Sequence, residues 1–369
     1  MLKEMQLLVK KTNSKELIFS ILVLVLLCSD IFFYLGLSVV TKSLFLISFL
    51  VLLKKSKAKD VYIVVLFLSL LCMTFFVGFI LGHQKLDYFI FPLLIVMGFL
   101  ISQGNFEPNR YRMFFMCFLL INGLALVYEK FNGSYLMDTG HPYSIIQGQG
   151  LFTWTKVQGE FLIAMSLLGS KDRFILLIIF FSALLSGVRA AGLLSGFLLM
   201  LTVFNFHKDK YKLINKYSVL FFVTSMFLLI PVFQQTFDDY NIERYTSMLD
   251  LNSSTYSVRG YVHDLHYGCI GEYSVSQLLF GRGEYCAKLF DWGAESTIIH
   301  SIEYYGLIVS LCLVSILMFA LIKNIQWLNY QTVAILLVLM TYFWNWRFGF
   351  TYTGIFLWWY IFRVAKRAD

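Results

Sequence analysis

Residues 291–322 read DWGAESTIIHSIEYYGLIVSLCLVSILMFALI, a polar approach that gives way at residue 297 to a long apolar run. A helix that crosses the hydrocarbon core of a bilayer needs about 20 such residues. Similar runs recur along the whole chain, which is 59% hydrophobic and only 14% charged. A soluble domain cannot bury that much apolar surface, so the composition predicts an all-α polytopic integral membrane protein.

The apolar runs divide the chain into about 12 predicted transmembrane helices. The runs at 155–169 and 174–187 are short for a span, which leaves counts of eleven and thirteen open. The predicted spans are residues 17–36, 38–53, 61–81, 87–103, 112–129, 155–169, 174–187, 190–206, 217–233, 297–322, 328–346 and 349–362.

Basic residues divide unequally between the two sides of this topology. With the N-terminus inside, the cytoplasmic segments hold 15 Lys and 5 Arg, whereas the other side holds 4 Lys and 5 Arg. Cytoplasmic loops carry an excess of Lys and Arg, so both termini are predicted to be cytoplasmic. The chain is then a single membrane domain, 1–369, with two sizeable outer loops at 130–154 and 234–296.

Arginine is enriched over lysine on the outer side. Its planar guanidinium offers a fork to two oxygens at once and suits phosphate better than an ammonium does. An ion pair with one of the many outer carboxylates is the favoured interpretation for any single arginine, but the set predicts that at least two bind an anionic substrate. The outer arginines are Arg189, Arg244, Arg259, Arg282 and Arg347.

Arg189 has the most informative setting of the five. It follows Ser186-Gly187-Val188 in a break between two apolar runs, where small residues permit a tight turn. The next helix begins there, and its unpaired N–H groups and dipole favour an anion. The alternative, without a role in binding, is an interfacial arginine whose side chain extends to water.

Cys269 and Cys286 are the two cysteines that lie outside the predicted spans, and both are on the predicted oxidising side. A disulfide between them is therefore predicted. In the same loop, His263 and His266 share a helical face after Arg259. A metal site there would need a third ligand, and an ordinary amphipathic helix is the favoured interpretation, so no metal is predicted.

Ionisable residues also gather at the outer ends of the spans. Glu295 precedes the 297–322 run, His300 and Glu303 lie within its first turns, and Glu160 stands near the mouth of 155–169. Such groups are unfavourable in a membrane unless they are paired or functional. Each is a candidate general base if it reaches an attacking hydroxyl.

These pieces together resemble the bacterial O-antigen polymerase and O-antigen ligase superfamily. The matching segments are Gly148–Phe152, the Ser186–Arg189 break, Ser257-Val258-Arg259, Leu279–Gly283, and Glu295-Ser296 followed, after nine intervening residues, by Gly306. The ligase branch typically has a histidine where Glu295 stands. That difference favours the polymerase.

The resemblance implies a fold of the GT-C glycosyltransferase class and a metal-independent enzyme without a cofactor. Its substrate would be an oligosaccharide linked to undecaprenyl pyrophosphate, at the periplasmic face of the bacterial inner membrane. A chain-length regulator and a flippase are further implied partners, along with membrane lipids, and nucleic acid is not a partner. Polymerisation would move the growing glycan onto a sugar hydroxyl of the next lipid-linked repeat unit.

Within that interpretation, Arg189 and Arg259 bind the pyrophosphate, with Arg282 or Arg347 assisting. Glu295 is the first candidate for the catalytic base, followed by His300 and Glu160. Two alternatives stay open: an O-antigen ligase that joins polymer to the lipid A core, and a lipid-linked oligosaccharide flippase. Few charges lie within the spans and the outer loop is large, which favours an enzyme over a transporter.

Overall fold

The computed structural model of the protein describes residues 14–80, 90–103, 111–137, 148–152, 155–169, 172–203, 254–290, 293–294, 296–325 and 352–367. Throughout these ranges the regular structure is helical, with no strand. The helices are α1 (Ser14–Leu27), α2 (Ser29–Tyr34), α3 (Ser38–Lys55), α4 (Ala58–Ile80), α5 (Ile90–Gln103), α6 (Arg112–Asn132), α7 (Thr155–Leu168), α8 (Arg173–Ser186), α9 (Arg189–Val203), α10 (Ser254–Gly271), α11 (Val275–Phe280), α12 (Tyr285–Leu289), α13 (Thr297–Ile325) and α14 (Gly354–Arg367).

Helices occupy ten of the twelve predicted spans, so the all-α prediction is confirmed for the described residues. The other two predicted spans, 217–233 and 328–346, lie outside those residues. The predicted 17–36 run differs because it divides at Cys28 into α1 and α2. There the Ser29 hydroxyl donates to the Leu26 carbonyl at 2.8 Å, a type of backbone contact that bends helices.

Two described segments, Arg112–Asn132 and Thr297–Ile316, are long and apolar enough to cross a membrane. Several other apolar helices, among them Val64–Ile80 and Arg173–Ser186, have only 10–17 residues. A buried core helix of a soluble protein passes the same test of length and composition. The twelve-span count and the GT-C class therefore remain predictions.

Helices α6 to α9 have two distinct ends. At one end, which we call the Arg112 end, Arg112 forms an ion pair with Asp172, the residue that caps the start of α8. Beside it, Arg173 donates to the Thr202 carbonyl near the end of α9, at 3.0 Å. The opposite end, called the Arg189 end below, contains the last turns of α6 and α8 and the first turns of α7 and α9.

Helix α14 lies in the core of the described structure. Trp358 and Trp359 are fully buried, and Gly98 of α5 admits the α14 backbone so closely that a Cβ at Gly98 would lie 2.4 Å from Trp358 Cβ. On another side, Phe356 makes an edge-to-face contact with Phe115 of α6. Aromatic packing of this kind joins α14 to the helices that carry the candidate site.

Candidate functional site

The glycine-containing segment Gly148–Phe152 is bound to α6 through its backbone. The carboxylate of Glu129 accepts hydrogen bonds from the N–H groups of Gln149 at 2.8 Å and Gly150 at 2.9 Å. It also accepts from Leu136 N–H at 3.0 Å, and Asn122 Oδ1 accepts from Leu151 N–H at 2.9 Å. One buried carboxylate thus fixes both the exit from α6 and the later segment.

Gly150 is required for this approach. Its φ is +61°, and a Cβ there would lie 2.3 Å from Asn122 Oδ1. Only glycine combines a left-handed backbone with so little space. The sequence pattern indicated this segment by its glycines, and the structure shows that Gly150 allows the segment to contact α6 closely.

The Arg189 end brings three of the predicted elements together. Gly159 of α7 packs on Val188, such that a Cβ at Gly159 would lie 2.9 Å from Val188 Cγ1. A Cβ at Gly148 would lie 3.5 Å from the Leu185 carbonyl. The break that carries Arg189 is therefore adjacent to the helix that carries Glu160 and to the Gly148–Phe152 segment.

Glu160 is buried, with 1% of its surface exposed, in the turn of α7 that follows the Gly159 contact. Arg189 is the first residue of α9, two residues after the left-handed Gly187 that ends α8 with φ 69°. The predicted placement of Arg189 at a helix N-terminus is confirmed for its backbone. Its side chain lies outside the described part of the structure.

The predicted disulfide is confirmed: Cys269 at the end of α10 is bonded to Cys286 in α12. Both cysteines are buried, and the hydroxyl of Tyr273 lies 3.1 Å from Cys286 Sγ. The bond closes a ring of residues 269–286 that contains α11 and the Gly281-Arg282-Gly283 turn. This part of the predicted outer loop is a folded unit.

The same turn interlocks with a break in α13. Gly306 has φ 78° and ψ 176°, outside helical geometry, and a Cβ there would lie 2.1 Å from the Leu279 carbonyl oxygen. In return, a Cβ at Gly281 would lie 2.7 Å from the Tyr304 carbonyl. The Arg282 N–H donates to the Glu303 carbonyl at 2.7 Å. The predicted uninterrupted 297–322 helix is therefore broken where the loop inserts.

The Arg282 guanidinium lies on an aromatic surface. Its central carbon is 3.2 Å from the centroid of the Tyr285 ring and 5.9 Å from that of Tyr273. Burial, and then the negative charge of Glu303, raise the pKa of the Tyr273 phenol, while the positive charge of Arg282 opposes that rise. A guanidinium stacked on a ring keeps its N–H edges available, so this arrangement is compatible with the predicted anion binding.

The histidines of this region have different surroundings. His266 forms a fully buried pair with Glu303, through Nδ1 and a carboxylate oxygen. His300 is also buried, and its ring lies 4.0 Å from that of Tyr304. Within the described residues no group of three His, Cys, Asp or Glu side chains is placed to hold a metal ion.

Besides Arg189, three predicted site residues are only partly described or fall outside the described residues. Glu295 and Arg347 lie outside the described residues, and Arg259 is described only as part of the backbone of α10. The roles proposed for them from the sequence stay predictions.

Sequence reasoning missed Glu129 and Asn122 altogether. Both lie in the apolar run of α6, and Glu129 precedes Lys130, which makes it resemble one member of an interfacial charge pair. The signal in the sequence that could have identified Glu129 is its position, a carboxylate one turn before Gly133, the glycine with φ 63° that ends the helix. Such a group near a helix end in an apolar run must find donors, as Glu129 does.

Loss of the Glu129 carboxylate should destabilise the protein. In Glu129→Ala the three backbone N–H donors lose their acceptor, and we expect the free energy of unfolding to fall by roughly 2–4 kcal/mol. Glu129→Gln keeps one acceptor oxygen and should lose less. Thermal unfolding of purified protein in detergent measures the change. The control is Glu272→Ala, at an exposed position after α10, which should unfold like the wild type. Equal unfolding midpoints for Glu129→Ala and Glu272→Ala would contradict the stabilising role of the Glu129 carboxylate.

Comparison of the chain with protein-family models, curated proteins and solved structures finds no match.

Proposed function

We propose that the protein is a membrane-embedded glycan polymerase of the O-antigen polymerase type, active on the extracytoplasmic face. The observation that carries the proposal is the assembly of the Arg189 end, where the break before α9 lies against the α7 helix of Glu160 and the Gly148–Phe152 segment. An arginine at a helix N-terminus, next to close-packed backbone, suits the pyrophosphate of a lipid-linked donor.

Exposed apolar surface supports the membrane location. Along α4, the side chains of Tyr62, Leu66, Met73, Phe76 and Ile80 are each at least 60% exposed. A continuous apolar stripe of this size is unfavourable in water and favourable in lipid. It agrees with the hydropathy of α6 and of the first part of α13.

The disulfide supports the side of the membrane. Disulfides form and persist in oxidising compartments and are rare in the cytoplasm of mesophiles. The Cys269–Cys286 bond therefore favours an extracytoplasmic position for the loop, in agreement with the distribution of basic residues.

The proposed reaction is displacement at the anomeric carbon of the donor. A hydroxyl oxygen of the acceptor sugar forms the new bond to that carbon, and the bond from the carbon to the pyrophosphate oxygen breaks. The hydroxyl proton passes to a carboxylate or imidazole, for which Glu295, His300 and Glu160 are the candidates, and undecaprenyl pyrophosphate leaves. Arginines stabilise the charge that accumulates on the leaving group, and this stabilisation is strongest in a site with little water.

The gel profile of lipopolysaccharide from a deletion strain tests the proposal. Loss of a polymerase should leave the lipid A core capped with a single repeat unit. Bare core with stranded lipid-linked polymer would indicate the ligase instead, and bare core without periplasmic polymer would indicate the flippase. In the direct assay, the purified wild type should elongate a lipid-linked repeat unit, and failure to do so under conditions that keep the protein folded would overturn the proposal.

A further inference from the structure

Glu303 is the point at which the predicted outer loop meets α13 through a buried pair of polar side chains. Its carboxylate contacts Nδ1 of His266, and both side chains are 0% exposed. Desolvation of the two polar groups offsets much of their attraction, and an apolar pair of similar size would stabilise the fold equally well. What the hydrogen-bonded pair adds is a defined relative position, since its two groups must meet in one geometry.

A second contact originates from the same residue. The Glu303 backbone carbonyl accepts the Arg282 N–H at 2.7 Å, next to the interlocked Gly281 and Gly306. Glu303 therefore contacts the loop in two places. Its side chain contacts α10 at His266, before the disulfide, and its backbone carbonyl contacts the Arg282 turn inside the disulfide-closed ring.

Each tethered segment carries one of the arginines predicted to bind pyrophosphate. Arg259 precedes His266 by seven residues in α10, which is about two helical turns. Arg282 is itself the residue bound to the Glu303 carbonyl. Since α10 is rigid over two turns, a contact that fixes His266 also fixes the position from which Arg259 extends.

We propose that Glu303 is a positioning residue, whose pairing with His266 holds α10, and with it Arg259, in register with α13. This inference rests on the proposed polymerase function. It replaces the interpretation of Glu303 as a general base, because a fully buried carboxylate engaged with His266 does not reach the hydroxyl of a sugar.

Kinetics of elongation by purified enzyme test the role. A shift of about 1 Å in a binding group can cost about 100-fold, so Glu303→Ala should lower kcat/KM for the lipid-linked repeat unit by about 100-fold. Glu303→Gln retains a hydrogen-bond acceptor for His266 and should recover most of that loss. The matched control is Glu284→Ala in the same loop. The carboxylate of Glu284 forms a partly exposed pair with Lys288 at 3.5 Å, and the variant should elongate like the wild type.

Double variants separate positioning from general destabilisation. If Glu303 acts through Arg259, adding Arg259→Ala to Glu303→Ala should cause little further loss, because both changes remove one interaction. Adding Arg189→Ala, at the separate Arg189 end, should multiply the loss of kcat/KM that Glu303→Ala causes. Multiplicative loss in both double variants would overturn the proposal, as would wild-type kcat/KM in Glu303→Ala.

Amide hydrogen exchange gives an answer that does not depend on activity. In Glu303→Ala, the amides of residues 261–271 should exchange faster than in the wild type and in Glu284→Ala. Thiol alkylation should show that the Cys269–Cys286 bond is intact in all three proteins. Unchanged exchange there would overturn the anchoring role. If the wild type itself fails to elongate substrate, the polymerase function fails, and the exchange result alone decides whether Glu303 anchors α10.

Discussion

Gly306→Ala should abolish docking of the outer loop on α13. An alanine Cβ would lie 2.1 Å from the Leu279 carbonyl oxygen and 2.4 Å from the Leu279 carbonyl carbon. Both are backbone atoms, which cannot rotate away as a side chain could. The backbone at Gly306, with φ 78° and ψ 176°, also lies in a region that is almost restricted to glycine. Strain and overlap together should cost roughly 3 kcal/mol or more.

The loss should be visible in structure and in activity. Limited proteolysis should cut within residues 275–290 in the variant but not in the wild type, and elongation of a lipid-linked repeat unit should fall to background. Gly268→Ala is the matched control, because Gly268 lies in helix α10 with nothing within 4 Å of an added Cβ. That substitution should be neutral or stabilise the helix by up to about 1 kcal/mol. Wild-type protease resistance in Gly306→Ala would contradict the interlock.

Arg189→Ala should reduce polymer formation by roughly 100-fold or more, the range measured when one donor to a developing negative charge is removed. The physical reason is that the leaving pyrophosphate gains charge in the transition state and loses its cation. Arg189→Lys keeps the charge without the planar fork, so an intermediate loss is expected. The measurement is elongation by purified protein, together with the ratio of polymer-capped to single-unit-capped core in a complemented deletion strain.

Arg173→Ala is the control for Arg189→Ala. Arg173 also begins a helix, α8, but at the Arg112 end of the bundle, where it donates to the Thr202 carbonyl. A general effect of removing an arginine from a helix N-terminus would appear in both variants. Equal elongation by Arg189→Ala and Arg173→Ala, at equal protein levels, would remove Arg189 from the proposed site.

Much of the helical arrangement follows from local sequence. Apolar runs such as those of α6 and α8 have few competing conformations, so their positions were predictable. The Cys269–Cys286 bond was also predictable, because the predicted topology left two cysteines on the predicted oxidising side. Two breaks escaped prediction: the one at Cys28, and the one at Gly306 in the middle of an apolar run.

For the candidate site, the segments that form it were easier to predict than the contacts between them. The Arg189 break and the Gly148–Phe152 segment were recognised by their small residues, and both lie at one end of the bundle. That Glu129 binds the Gly148–Phe152 backbone was not predictable, since its partners are 20 and 21 residues away and offer only N–H groups, which every residue type but proline possesses.

The sequence by its local pattern predicts the all-α class, the sides of the membrane and the residues that carry charge outside the apolar runs, because periodicity, hydropathy and charge are properties of short segments. Folding brings His266 to Glu303, 37 residues away in the chain, and places the turn before Arg282 against Gly306, and neither contact follows from local sequence. These contacts depend on shape and on backbone atoms common to all residues. The polar loop is therefore a unit built into the break of α13, a relation that becomes specific only when the chain is folded.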